Sequence, residues 1–308
     1  MDDKFLLAEI AKLYYIDQIK QKDIAKIFNI TPIQVSRFLR SAIENNIIQF
    51  HITMPIEVDL DLGKKIKDKY KLRECVVIDE EDEGLIGIKI AQYTSKFVYS
   101  LLQDGAIMGV SWGKGIYEFV KQLPFGKLPD LKIVQLSGGF VSEKNYMVTP
   151  AHIVTIACEK LGGVPIFLNA PFFSPNQDTK NNLLKDEGIL KVYELASKSS
   201  VNIIGASSLK KTSTVFRVGM VSTDDIAELS YMNAIGDIAG YFIDDKGDPI
   251  KWSKSELYNG VPLDLIGSAY TTLCIAGEAG KEKVIRAGLN KKYFNTLITG
   301  KKLARGLL

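Results

Sequence analysis

The sequence predicts an α/β protein in two parts, a small helical head over residues 1–54 and a larger domain over residues 55–308 built on a mostly parallel sheet. Three observations carry that expectation. The first fifty residues hold three short amphipathic helical patterns in succession. A charged, proline-started stretch, residues 54–74, then serves as connector and first helix of the second part. Beyond residue 75, short apolar strand-like runs alternate with helical ones, the pattern of a parallel sheet covered on both faces.

In chain order, Leu6, Leu7, Ile10, Leu13 and Tyr14 recur at the spacing of one buried helical face. The pattern lapses near Ile16–Lys20 and returns over Gln21–Phe28 with Ile24, Ala25, Ile27 and Phe28. Asn29 suits a turn, and Thr31-Pro32 reads as an N-cap followed by proline at the first helical position. The third helix is expected to bury Val35, Leu39, Ala42 and Ile43 and to stop at Asn45–Asn46. The run IIQFHIT after it alternates as a strand or wing would. In the larger part the expected strands are Cys75–Ile78, Ala106–Val110, Lys132–Leu136, Pro165–Leu168, Val201–Ile204, Thr271–Ala276 and Thr296–Thr299. The expected helices are Leu85–Leu102, Ile116–Gln122, Pro150–Leu161 and Gly280–Ala287, and the acidic run Asp79–Glu83 reads as a solvated loop.

Composition narrows the function classes. Cys75, Cys158 and Cys274 are odd in number and far apart, and His51 and His152 are the only histidines, so neither a disulfide framework nor a metal site is indicated. No apolar run reaches the ~18 residues of a membrane span, and MDDKFLLAEI has no signal-sequence character. A reducing, cytoplasmic setting is expected, with no cofactor. Net charge does not argue for nucleic acid: residues 1–50 carry seven Lys/Arg (4, 12, 20, 22, 26, 37, 40) against six Asp/Glu (2, 3, 9, 17, 23, 44).

Local placement does argue for it. Two short helices, a tight turn and a third helix make a helix-turn-helix, whose last helix enters the major groove. Thr31, Gln34, Ser36, Arg37 and Arg40 lie off the apolar face of that helix, and residues 31–43 contain no acid. Gln can read adenine in a bidentate way, Arg can read guanine or clamp phosphate, and Ser or Thr suits phosphate near a helix N-terminus. Double-stranded DNA is the expected partner.

In parallel α/β sheets, ligands bind where strand C-termini meet helix N-termini. The most distinctive such loop is Gly109-Val110-Ser111-Trp112-Gly113-Lys114-Gly115, where glycines let backbone N–H groups approach an anion. It matches neither nucleotide-binding glycine motif, and a turn that merely permits tight packing is the plainer reading. Thr149 and His152 at the start of the Pro150 helix, Asn169, Gly205, Asp237, Glu278 and Lys281 hold equivalent positions. Together they offer hydroxyl, amide, carboxylate and ammonium groups to a small polyhydroxylated ligand.

These segments resemble the SorC/DeoR-type sugar-binding transcriptional regulators of bacteria over essentially the full length: KLYYIDQIKQKDIAKIFNITPIQVSRFLRSAIENNII in the head, then GVSWGKG, VQLSGG, IIGASS, AIGDIAGYFIDDKG and IAGEAGKEKVIRAGL in order. The resemblance implies a winged helix-turn-helix that binds operator DNA. It also implies an effector domain of the ribose-phosphate isomerase/sugar-phosphate deaminase type without the catalysis, assembled as a homotetramer. The effector would be a sugar, a polyol or a sugar phosphate, contacted by Gly109, Ser111, Trp112, Gly113, Asp237, Glu278 and Lys281. The chain departs from the pattern at Pro32-Ile33, at Tyr241 where Arg is frequent, and at Gly300 where Asp is common. Losing an Arg removes a bidentate phosphate partner. An isomerase or deaminase carrying an accessory head is the alternative that shares this fold.

Overall fold

The computed structural model of the chain describes residues 3–50, 56–143 and 145–308. The chain divides into two compact units, Met1–Met54 and Pro55–Leu308. In the first, α1 (Asp3–Tyr15), α2 (Gln21–Phe28) and α3 (Pro32–Glu44) follow the three sequence patterns. Their core is Leu7, Ile10 and Ala11 against Ile24, Ala25, Val35, Leu39 and Ala42. Ile27 and Ile43, expected inside, are exposed, because each falls a step round the helix from the buried row. Asn29 ends α2 in the left-handed region (φ 52°) and returns its N–H to Ala25 and Lys26 carbonyls. Of the alternating run after α3, residues 47–50 form no strand and 51–53 lie outside the described residues.

The second unit opens with α4 (Leu60–Tyr70), capped by Asp59, and continues through β1 (Glu74–Ile78), α5 (Glu83–Leu101), β2 (Ile107–Val110), α6 (Lys114–Gln122) and β3 (Lys132–Gln135). Next come α7 (Pro150–Leu161), β4 (Val164–Ile166), α8 (Gln177–Leu183), α9 (Glu187–Ser197) and β5 (Val201–Ser208). Then α10 (Thr214–Arg217) and α11 (Thr223–Tyr231) lead to β6 (Gly236–Ile238) and β7 (Tyr241–Ile243). The chain finishes with α12 (Leu263–Gly267), β8 (Thr271–Ala276), α13 (Glu282–Asn290), β9 (Thr296–Gly300) and α14 (Lys301–Arg305).

The main sheet runs β1-β9-β8-β5-β2-β3-β4, every pair parallel. Its strands are apolar on both faces because each face has its own core. Cys274, Ala276, Ile204 and Leu297 point into a core with α4, α9, α12, α13 and α14. Leu273, Ile275, Ile203 and Ile298 point into the opposite core with α5, α6 and α7. β5 runs four residues beyond its expected end, and that extension pairs antiparallel with the β6–β7 hairpin. Ala239 (φ 51°) and Gly240 (φ 91°) form the two-residue turn of the hairpin, both left-handed as a type I′ turn requires. The Ala239 backbone is pinned on both sides: its N–H donates to the Gly205 carbonyl (3.1 Å), and its carbonyl accepts from Tyr258 Oη (2.7 Å).

The acidic run is less free than a solvated loop. Asp79, Glu80, Glu81 and Glu83 pair with Lys301, Lys89, Arg305 and Lys302, while Asp82 caps α5. This fastens the start of α5 to α14, next to the C-terminal ends of the central strands.

Candidate functional site

At those strand ends lies a cavity of about 710 Å³, within the usual range for a small-molecule site. Three loops build most of it. After β2, Ser111 is anchored by its N–H to the Ile203 carbonyl (2.9 Å), and Gly113 turns the chain at φ 112°, a conformation that favours glycine. No side chain caps α6, and Lys114, Gly115 and Ile116 of its first turn line the cavity. An uncapped helix start of this kind favours an anionic group.

The extension of β5 contributes Gly205, Ala206, Ser207 and Ser208, and the segment after it adds Lys210, Thr212–Thr214 and Arg217. From the hairpin comes Asp237, whose carboxylate accepts the Gly240 N–H (3.1 Å). Burial pushes this carboxyl up to about 6, against the pull of that N–H and of the Lys281 ammonium. The loop after β8 brings Glu278 and Lys281, paired at 3.3 Å. Lys281, then Lys114 and Arg217, hold the Glu278 carboxyl below its ordinary value. Ile86 and Ile90 of α5 close the remaining wall, packed so tightly that a Cβ on Gly277 or Gly300 would meet them at 2.7–2.8 Å.

Of the residues singled out from the sequence, Ser111, Trp112, Gly113, Gly205, Asp237, Glu278 and Lys281 come together around this cavity. Trp112 presents little of its ring, which packs edge-on against Phe140 (5.2 Å) and Phe172 (5.3 Å). Gly109 lies behind the wall, where a Cβ would stand 2.0 Å from Asn202 Oδ1. Thr149 precedes α7 and donates its hydroxyl to the Tyr146 carbonyl (2.7 Å), while His152 packs against Tyr117 and Tyr146. Asn169 lines a separate, shallower hollow of about 310 Å³ with Gln135, Phe167 and Pro171. Tyr241 is turned away from the cavity and donates its hydroxyl to the Gly260 and Val261 carbonyls. Lys210 and Arg217 were not legible as site residues, since they sit in an irregular stretch without a strand-end signature.

In the head, Thr31 caps α3 and forms a reciprocal capping box with Gln34. Gln34 Oε1 accepts from both Thr31 N–H (2.8 Å) and Thr31 Oγ1 (3.1 Å), so its acceptor capacity is used within the cap. Ser36, Arg37 and Arg40 are exposed, and neither arginine has an ion-pair partner among the described residues. No group of His, Cys, Asp and Glu among the described residues could hold a metal, and no helix among them is long and apolar enough to cross a membrane.

A capped third helix without an acid before its last residue, on a trihelical head joined in one chain to an α/β unit with a ligand-sized strand-end cavity, defines a ligand-responsive DNA-binding regulator. Comparison with known proteins gives the family. Residues 54–308 match the family described as "Putative sugar-binding domain". The chain is 29% identical to the deoxyribonucleoside regulator of Bacillus subtilis, over 98% of this chain and 97% of that protein. Its fold is similar to a DeoR family transcriptional regulator from Listeria monocytogenes (TM-score 0.75, 25% identity, 81% of this chain and 99% of the other). It is also similar to the full-length sorbitol operon regulator SorC from Klebsiella pneumoniae (TM-score 0.74, 23% identity, 100% and 99%). The chain belongs to the SorC/DeoR-type family of sugar-binding transcriptional regulators. It is a DNA-binding regulator with a sugar-binding effector domain, and its relatives are regulators rather than isomerases or deaminases.

Proposed function

We propose that this protein controls a carbohydrate-utilisation operon in the cytoplasm. In this reading residues 1–54 bind the operator, and residues 55–308 bind a sugar or polyol effector, preferentially phosphorylated, and assemble the chain as a homotetramer. The observation that carries the effector reading is the charge around the strand-end cavity. Lys114, Lys210, Arg217 and Lys281 line it beside the uncapped start of α6, while the lining carboxylates Glu83, Glu118 and Glu278 are paired with Lys302, Lys121 and Lys281. A phosphate would sit against that start with Arg217 as its planar, fork-shaped partner, which makes good the arginine missing at position 241. Asp237, Ser111, Ser207 and the backbone at Gly113 and Gly205 would take the sugar hydroxyls, and Glu278 and Lys281 would set the charge at the rim. Trp112 shapes the wall. Gly109, Thr149, His152 and Asn169 act behind or beside the cavity rather than as contacts.

On the DNA side, Arg37, Arg40 and Ser36 face the operator, and Thr31 and Gln34 fix the start of the reading helix. The effector binds one arrangement of the assembled domains better than another and so shifts the spacing of paired heads over two half-sites. The test is thermal melting of the full-length protein against a panel of sugars, polyols and their phosphates, followed by footprinting of the DNA flanking its own gene. A ligand present at 100 times its Kd stabilises by about 2.7 kcal/mol. The reading expects phosphates to raise the melting temperature more than the parent sugars and to alter protection of a palindromic site. Melting that no ligand shifts, with no protected site, would sink it.

A further inference from the structure

We propose that Ile33 is a base-reading residue that selects thymine at one operator position through its 5-methyl group. The proposal rests on α3 being the helix that enters the major groove, as put forward above. Ile33 stands at the second position of α3 and is 71% exposed. It has no share in the core of the head, which α3 joins through Val35, Leu39 and Ala42. At about 100° per residue, Ile33, Arg37 and Arg40 fall within one narrow sector of the helix surface, with Ser36 at its edge. An isoleucine thus sits in water on the same strip as two arginines that lack ion-pair partners among the described residues. The strip carries no acid until Glu44, the last residue of α3. A polyanion bearing an apolar group is the partner that satisfies both features. On the major-groove edges of the bases that apolar group is the thymine methyl.

The neighbouring cap sharpens the assignment. Bidentate reading of adenine by Gln34 would need Oε1 to accept from the base while Nε2 donates. Oε1 already accepts the Thr31 N–H and the Thr31 hydroxyl. Only the amide NH2 of Gln34 remains, and it can donate without distinguishing thymine O4 from the guanine acceptors. Discrimination at this end of α3 therefore falls to Ile33.

The experiment uses full-length protein and duplexes selected by the wild type from a random library. Each thymine of the selected site is replaced singly by deoxyuridine, which removes the 5-methyl group and nothing else. We expect one thymine per half-site whose replacement weakens wild-type binding about fourfold, the worth of one buried methyl group. Ile33→Ala should bind the thymine duplex more weakly by a similar factor and be indifferent to that deoxyuridine, with Ile33→Val in between. The melting temperature of each variant should equal that of the wild type. Wild-type indifference to every deoxyuridine, or full sensitivity retained by Ile33→Ala, overturns the proposal while leaving α3 as the reading helix. Dissociation of the oligomer by Ile33→Ala without a methyl effect assigns the residue to a protein contact and also overturns it. Failure of the wild type to select any sequence removes the DNA reading of the head itself.

Discussion

Asp237→Asn should make the effector domain more stable at neutral pH while weakening its grip on the effector. Asp237 is 7% exposed, and burial raises its carboxyl from an ordinary 3.8 to about 6. The folded state therefore holds the proton more tightly than the unfolded chain. Below pH ~3 both states are protonated and the carboxyl costs nothing. As pH rises past 3.8 the unfolded chain gives up the proton first, and stability is lost steadily until the folded carboxyl ionises at about 6. Two pK units at ~1.36 kcal/mol each set the loss at about 3 kcal/mol, complete above pH ~7. Asparagine keeps an oxygen for the Gly240 N–H but carries no charge. The difference in melting temperature between variant and wild type should then be about 2–4 °C at pH 4.5, where about 1 kcal/mol is already lost, and grow to roughly 6–12 °C by pH 7.5, at about 2–4 °C per kcal/mol for a domain of this size. Scanning calorimetry of effector-free protein across that range reads it directly. In the same variant an effector hydroxyl loses a charged acceptor worth about 1.5–3 kcal/mol, so affinity should fall roughly 10–100-fold. A variant less stable at pH 7.5, or a difference that ignores pH, would refute the reasoning.

Other substitutions separate the remaining roles. Arg37→Ala or Arg40→Ala should leave melting unchanged and weaken operator binding by about 1–3 kcal/mol if the residue reads a base. A phosphate contact would instead lower affinity across all sequences and flatten the salt dependence by about one counterion, which anisotropy titrations at several salt concentrations distinguish. Glu278→Gln frees Lys281 from the carboxylate 3.3 Å away, so a sugar phosphate should bind about three- to tenfold tighter by calorimetry while its unphosphorylated parent changes little; an unchanged ratio would place Glu278 on the sugar instead. Gly109→Ala forces a Cβ onto Asn202, whose Nδ2 is tied to the Ala196 and Ile266 carbonyls. Urea unfolding should show a loss of about 1–3 kcal/mol or more, with the effector affinity of the folded fraction intact. Lost affinity at full stability would return Gly109 to the site.

The helices of the head and the buried strands were legible because one periodicity decides each of them. Val35, Leu39 and Ala42 mark a single face, and strands such as Thr271–Ala276 are buried throughout, with the apolar run Leu273–Ala276 covered by two cores. The β6–β7 hairpin was not legible. Its strands span three residues each, and its turn sets Ala239 in a left-handed conformation that alanine rarely adopts. The contacts that hold it there come from Gly205 and Tyr258, 34 and 19 residues away in sequence. The helices α9 and α11 did leave signals, Asp186 and Ser222 as N-caps, but weak ones beside the motifs around them.

The same distinction between local and distant causes decides what the strand-end loops disclose. Ser111, Gly113, Glu278 and Lys281 could be placed at one edge because a parallel sheet gathers its strand C-termini there whatever the loops contain, whereas Asp237 reaches that edge from the antiparallel β6. Which charges share that edge depends on how an irregular segment folds back, and no period in SSLKKTSTVFR announces that Lys210 and Arg217 line the cavity. Resemblance to a family carries positions across, not places. Tyr241 stands where arginine is frequent, which on sequence alone reads as a lost phosphate partner. In the folded chain its hydroxyl is bound to the Gly260 and Val261 carbonyls outside the cavity, and the guanidinium at the site belongs to Arg217, 24 residues earlier in the chain. The charge a phosphate needs is a property of the cavity, and it can be supplied from any element that reaches it.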